Sequence, residues 1–181
     1  MLIWINGPFG GGKTQTAFEL QRRFPGAVVC DPEHVGFGLH KMTPPALRGD
    51  FQDLAAWRAG VVEVLDLALR GHPGPVLAPM TLTDPAYAAE ILDTLRGRGH
   101  EVHHVALLAD RAVVLERLRR RGLGFGLRFE TWAVQALDLT VPQVAERVAA
   151  VAGLALGPDT DGALLGRLHR ATVGLRHVRL P

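Results

Sequence analysis

Short, nearly continuous apolar runs alternate along the chain with longer stretches in which apolar residues recur every three or four positions. Four of the runs have the length and character of parallel strands buried on both faces: Leu2 to Asn6, Ala27 to Cys30, Pro75 to Met80 and Val102 to Ala109. Helical spacing covers Lys13 to Phe24, Leu54 to Leu69, Pro85 to Arg96 and Arg111 to Arg120, the first of these stopped by Pro25-Gly26. This alternation predicts a three-layer α/β fold around a mostly parallel sheet. After Gly122 the pattern weakens, although Gln143 to Val151 again reads as helix. Residues 161–180 read as a final amphipathic helix, with Leu164, Leu168, Ala171, Leu175 and Val178 on one face.

Two segments stand outside the alternation. Asp31 to Phe51 carries Pro32, Gly36, Gly38, Pro44, Pro45 and Gly49, too much punctuation for one regular element, so 31–53 reads as a substrate-binding insertion. Arg119 to Phe129 reads "RRRGLGFGLRF", and the wider segment 117–130 has the composition of a mobile lid. Both follow strands that run in the same direction and should overhang one edge of the sheet.

Composition narrows the class. With 181 residues, 48% of them hydrophobic, the chain supports one well-buried core and is too short for two ordinary domains. Cys30 is the only cysteine, which leaves no internal disulfide and no cysteine-based zinc site and suits a reducing, cytoplasmic setting. No apolar run is long enough to span a membrane, and no charged region precedes the first strand, so the chain reads as soluble and unprocessed. The formal charge is only +2, yet Lys13 and Lys41 are the only lysines among the twenty basic residues. That arginine bias is either genomic or a choice of guanidinium forks for phosphate. The basic residues are not interleaved with aromatics, which argues against a nucleic-acid partner.

The most specific motif is "GPFGGGKT". Gly7, Pro8, Phe9, Gly10, Gly11, Gly12, Lys13 and Thr14 match the phosphate-loop pattern, placed as required between an apolar strand and a helix. Glycines at this spacing let successive N–H groups turn inward around phosphates while the helix adds its positive end. Lys13 would reach the β and γ phosphates of ATP, and Thr14 would give its hydroxyl to Mg²⁺. The loop alone names no reaction. No Asn-Lys-x-Asp stretch follows to read guanine, and an arginine-rich segment after the fourth strand resembles the lid of nucleoside and nucleotide kinases. Arg117 and Arg121, four apart on one helix face, are the favoured pair to meet the moving phosphoryl group, ahead of Arg119, Arg120 and Arg128.

The third strand, "PVLAPMTLTD", lacks an acid where many phosphate-loop enzymes place one. Asp31, ending the second strand, can substitute as base on an acceptor hydroxyl or as part of the Mg²⁺ shell, with Asp84 in reserve; the alternative for Asp31 is a loop-start cap before Pro32. His103 and His104 point to opposite faces of a strand and cannot easily share a metal ion with each other, even with His100 nearby.

Beyond the phosphate loop, "DPEHVGF", "DFQDLAAWR", "APMTLTDPAYAAEIL", "VHHVALLA", "LERLRRR", "DLTVPQVAERVAA" and "LGPDTDGALLGRL" follow in order. Together they resemble the tunicamycin resistance proteins, the TmrB-like ATP-binding proteins of bacteria. The resemblance implies a nucleotide- or shikimate-kinase-like phosphate-loop domain, with a five-stranded parallel sheet, that lowers sensitivity to a uridine-bearing antibiotic. Its phosphate-loop roles fall on Gly7, Gly10, Gly12, Lys13 and Thr14, its Asp-Pro-Glu on Asp31, Pro32 and Glu33, and its Trp-Arg on Trp57 and Arg58. Between Gly122 and Ala136 the chain is shorter and richer in glycine than the family pattern.

With tunicamycin as ligand, Asp31 would take the proton of a sugar hydroxyl and Arg58 would anchor the sugar or a uracil oxygen. Phe37, Phe51 and Trp57 would stack on uracil or meet the acyl chain, or else pack in the core. The last helix, with Arg167, Arg170, Arg176, His177 and Arg179 beside its apolar stripe, either packs across the sheet or touches a membrane surface peripherally. Three functions fit these residues: a Mg·ATP-dependent kinase of tunicamycin or a related nucleoside, an ATP-clasped drug-binding protein, and a housekeeping nucleoside or sugar kinase.

Overall fold

The structure is a computed structural model that describes residues 1–108, 140–159 and 171–173. In chain order its elements are β1 (Leu2–Asn6), α1 (Lys13–Arg23), β2 (Val28–Val29), α2 (Glu33–Met42), short 3-10 turns at Pro45–Leu47 and Phe51–Asp53, α3 (Ala55–Gly71), β3 (Val76–Pro79), α4 (Pro85–Gly97), β4 (Val102–Ala106) and α5 (Val141–Val151). The expected helix over Arg111 to Arg120, the lid over 117–130 and most of the final helix over 161–180 lie outside the described residues.

Four parallel strands lie in the order β2-β3-β1-β4 among the described residues. Leu2 pairs with Val76 on one side and with Val102 on the other. Because side chains alternate across a strand, β1 feeds two cores. Leu2 and Trp4 join Trp57, Val61 and Leu65 of α3 and Ile91 and Leu95 of α4. Ile3 and Ile5 join Ala17 and Leu20 of α1 and Ala145, Val148 and Ala149 of α5. This gives the three layers expected of apolar strands with helices on both faces.

Ion pairs fasten the outer helices. Arg23, buried, donates to the Gly157 carbonyl at 2.9 Å and to Glu146 at 3.0 Å, tying α1 to α5 and the segment after it. On the opposite face Asp66 of α3, also buried, accepts from His100 at 2.6 Å, Arg98 at 2.8 Å and Arg70 at 2.9 Å, which pins α3 to the turn between α4 and β4.

The insertion departs from expectation. Residues 33–42 form a regular helix despite Gly36 and Gly38. The start of α2 is set by the Asp31 carboxylate, which accepts from the Glu33 N–H at 2.9 Å, and by an acid in the first turn, where the helix end favours negative charge. Thr43 ends it by turning its N–H and hydroxyl back to the Leu39 carbonyl, ahead of Pro44 and Pro45. Gly36 is an approach site: a Cβ there would sit 2.5 Å from the ring of Phe51. No helix among the described residues is long and apolar enough to cross a membrane.

Candidate functional site

Where neighbouring parallel strands send their helices to opposite faces, a crevice opens beyond their carboxyl ends. Here β1 leads to α1 on one face and β3 leads to α4 on the other, so the crevice lies between the phosphate loop and residues 80–84.

The loop is shaped by backbone that only glycine adopts readily. Gly7, Gly10 and Gly12 have φ of +149°, +79° and +95°. A Cβ on Gly7 would come within 2.7 Å of the Leu107 carbonyl oxygen. The Gly11 N–H closes a turn onto the Pro8 carbonyl at 2.9 Å, and Phe9 stands exposed at the tip. Helix α1 then starts with Gly12 at its cap, no side-chain cap hydrogen bond and no acid in its first turn. Its positive end is therefore offset by no side chain of its own, and it suits an anion.

Lys13 is buried, and its ammonium donates to the Pro8 carbonyl at 2.9 Å and to the Thr81 hydroxyl at 2.6 Å. Asn6, the last residue of β1, accepts through Oδ1 from the N–H groups of Gly7 at 2.8 Å and Leu82 at 2.9 Å, and donates through Nδ2 to the Leu82 carbonyl at 2.8 Å. One side chain thus joins both walls of the crevice. This donor set, with a lysine above the loop and Thr14 in the first turn of α1, fits a nucleotide phosphate chain and its Mg²⁺. Neither Asn6 nor Thr81 was singled out by pattern. The available signals were a polar residue closing an apolar strand and a hydroxyl where an acid is usual.

Asp31 lies at the same edge of the sheet. The register Val29 with Leu77 and Ile5 with Pro79 brings it level with the end of β1, two strands away, at a spacing of about 10 Å by ordinary strand separation. Beyond it, Phe37, Phe51 and Trp57 form one edge-on and tilted cluster, with His40 5.4 Å from Phe51. Trp57 is fully buried, and its indole N–H donates to the Pro32 carbonyl at 3.0 Å. Of the two roles open to it, these contacts are those of packing beneath the Asp31 turn. Phe37 and Phe51 are only partly buried.

Arg58 is already engaged. It donates to Glu90 at 2.6 Å and to the Gln52 carbonyl at 2.7 Å, and its guanidinium lies 4.3 Å from the ring centre of Tyr87. Tyr87 in turn donates to Asp53 at 3.1 Å, and that bond, with burial, raises the phenol above its ordinary pKa. Arg58 therefore fastens the insertion to α4, and contact with a ligand would compete with Glu90. Asp84 caps α4 through the Ala86 N–H. Cys30 is packed against the core, and burial pushes its thiol up, away from the reactive thiolate. His100 bonds Asp66, His103 bonds Glu101 and His104 lies by Asn6, three different places. No group of three metal-binding side chains occurs among the described residues. Arg117 and Arg121 lie outside them.

A glycine-formed phosphate loop at the switch point of a parallel sheet defines a nucleotide-binding protein of the phosphate-loop kinase-like class. A family model described as an AAA domain matches residues 2–138. The tunicamycin resistance protein of Deinococcus radiodurans is 41% identical, over 87% of this chain and 98% of that one, with a TM-score of 0.72. The chain belongs to the AAA-domain family and to the tunicamycin resistance proteins. At the level of fold alone, it is similar to the Mycobacterium tuberculosis APS kinase CysC solved with AMPPNP and APS (14% identical, covering 84% of this chain and 96% of that one, TM-score 0.59). A gluconokinase from Sinorhizobium meliloti is 16% identical, covers 97% of each chain and has a TM-score of 0.56. No curated protein matches the chain.

Proposed function

We propose that this protein is a Mg·ATP-dependent phosphotransferase whose acceptor is tunicamycin or a related nucleoside. The observation that carries the reading is the register that sets Asp31 level with the end of β1, the strand that leads into the phosphate loop, with β3 lying between them. Bound Mg·ATP would supply the γ-phosphoryl group, its bond to the β-phosphate oxygen breaking as one forms to the acceptor oxygen. Backbone N–H groups at Gly10, Gly12, Lys13 and Thr14 would hold the phosphates, the Lys13 ammonium would neutralise the β and γ oxygens, and the Thr14 hydroxyl would ligate the metal. Asp31 would orient the acceptor hydroxyl and take its proton, or share the metal shell. Phe37 and Phe51 would flank the uracil, and Arg117 and Arg121 would come from the lid. Support for the nucleoside comes from the 41% identity to a tunicamycin resistance protein.

Thr81 at the end of the third strand favours a second reading, a drug-binding protein that uses Mg·ATP as a clasp, because the strand offers no acid to organise the metal's water shell. Incubation with Mg²⁺, ATP and tunicamycin, followed by mass spectrometry of the drug, separates the two. One added phosphate is expected. An unchanged drug that nevertheless binds saturably overturns the kinase reading in favour of the clasp.

A further inference from the structure

Strand β3 ends at Pro79, and the Met80 N–H still donates to the Ile5 carbonyl at 3.1 Å. Thr81 is thus the first residue beyond the ladder, directly beside the entry to the phosphate loop. Its successor Leu82 is held by the Asn6 side chain through both backbone polar atoms. The backbone on either side of Thr81 is therefore fixed, and its hydroxyl accepts from Lys13 at 2.6 Å, across 68 residues of sequence.

We propose that Thr81 is the positioning residue for Lys13, holding the phosphate-binding ammonium in place with a neutral hydroxyl where a carboxylate is usual. A lysine carries its charge on four flexible carbons, and any contact that fixes it must stop short of cancelling it. A carboxylate 2.6–3 Å away would pair with the ammonium and add a negative charge beside the phosphates. A hydroxyl accepts one N–H of Lys13, leaves the positive charge whole, and keeps its own O–H as a donor for an anion. The rigid Asn6 clamp supplies what the short threonine side chain cannot supply alone, a fixed origin for the oxygen. This inference rests on the Mg·ATP part of the function proposed above and is independent of transfer to the drug.

The test is the affinity of the whole chain for Mg·ATP and for Mg·ADP, measured by titration calorimetry on the wild type, Thr81→Val, Thr81→Ser and Thr81→Asp. Lys13 acts on the terminal phosphates, so the ratio of the two dissociation constants reports its placement. Thr81→Val keeps the shape and removes the hydroxyl; the preference for ATP over ADP should fall about tenfold, the scale of one hydrogen bond to a charged group. Thr81→Ser should keep the ratio within about twofold, and Thr81→Asp should weaken ATP more than ADP. A Thr81→Val ratio within about threefold of the wild type overturns the proposal, as does a Thr81→Ser loss equal to that of Thr81→Val. If Thr81→Val does not fold by circular dichroism, Thr81→Ala is judged by the same threshold. A wild type that binds neither nucleotide rejects the Mg·ATP reading itself, and this inference with it. A wild type that binds ATP but leaves the drug unmodified rejects only the transfer step.

Discussion

Asn6 grips Leu82 by both of its backbone polar atoms while the same carboxamide oxygen accepts the N–H of Gly7. The orientation of the amide is set by these partners, since two N–H groups require Oδ1 and one carbonyl requires Nδ2. Asn6→Ala leaves two donors and one acceptor without their partner in a half-buried crevice. We expect a loss of roughly 2–4 kcal/mol in urea unfolding, together with weaker nucleotide binding, because both walls of the crevice lose their common anchor. Asn6→Asp keeps the acceptor and should recover part of the stability. Equal losses for the two variants would show that the clamp is incidental.

Asp31 has a structural duty as well as the chemical one proposed for it, and substitutions can separate the two. Asn at this position can still accept from the Glu33 N–H through its Oδ1, so Asp31→Asn should melt with the wild type and bind ATP nearly as well. It should lose phosphoryl transfer, because the amide takes no proton. Asp31→Ala should lose transfer and also about 1 kcal/mol of stability as the start of α2 frays. Transfer that survives in Asp31→Asn, followed by mass spectrometry of the drug, removes Asp31 as the base.

The phosphate loop was legible because its residues are contiguous and its backbone demands are local: glycines for left-handed turns, then a lysine at a helix start. The layers were legible because strands buried on both faces must be apolar throughout, as Leu2 to Ile5 are. What escaped were relationships set by distant residues. Gly36 and Gly38 read as helix breakers, whereas Gly36 is the place where Phe51 lies against α2. Arg58 read as an available cation, whereas Glu90, 32 residues on, already holds it. The missing acid of the third strand was visible in the sequence. That a hydroxyl in its place reaches Lys13 became visible only once β3 lay beside β1.

The contact between Gly36 and Phe51 makes a steric prediction. Gly36→Ala raises helix propensity by up to about 1 kcal/mol, yet its methyl would overlap the aromatic ring, which cannot retreat without disturbing Trp57 5.5 Å away. The clash should win, with a net loss of roughly 1–3 kcal/mol. Combining it with Phe51→Leu should recover much of that loss, because the smaller side chain makes room. A double-mutant cycle by urea unfolding measures the coupling, and strict additivity of the two changes would contradict the contact.

Asp66 gives the fold a predictable response to acid. Its carboxylate is held below the usual range chiefly by the hydrogen bond from His100, helped by the bond from Arg98 and the charges of Arg70 and Arg98, against the opposing cost of burial. Glu63 beside it is lowered by Arg98 as well, and Arg98 is itself raised by the two acids. A group whose pKa is lower in the folded state binds fewer protons there than in the unfolded chain. Its stabilisation is therefore complete above the ordinary carboxylate range of about 4 and is lost as the pH falls through the depressed folded value. Stability measured by urea unfolding should hold from pH 6 to about 5 and fall as the pH is lowered below about 4, and Asp66→Asn should flatten that fall while lowering stability at pH 7. Because this cluster ties α3 to the turn before β4, far from the phosphate loop, Asp66→Asn should leave the ATP-to-ADP preference unchanged. An acid response identical in Asp66→Asn and the wild type would assign the sensitivity to other carboxylates.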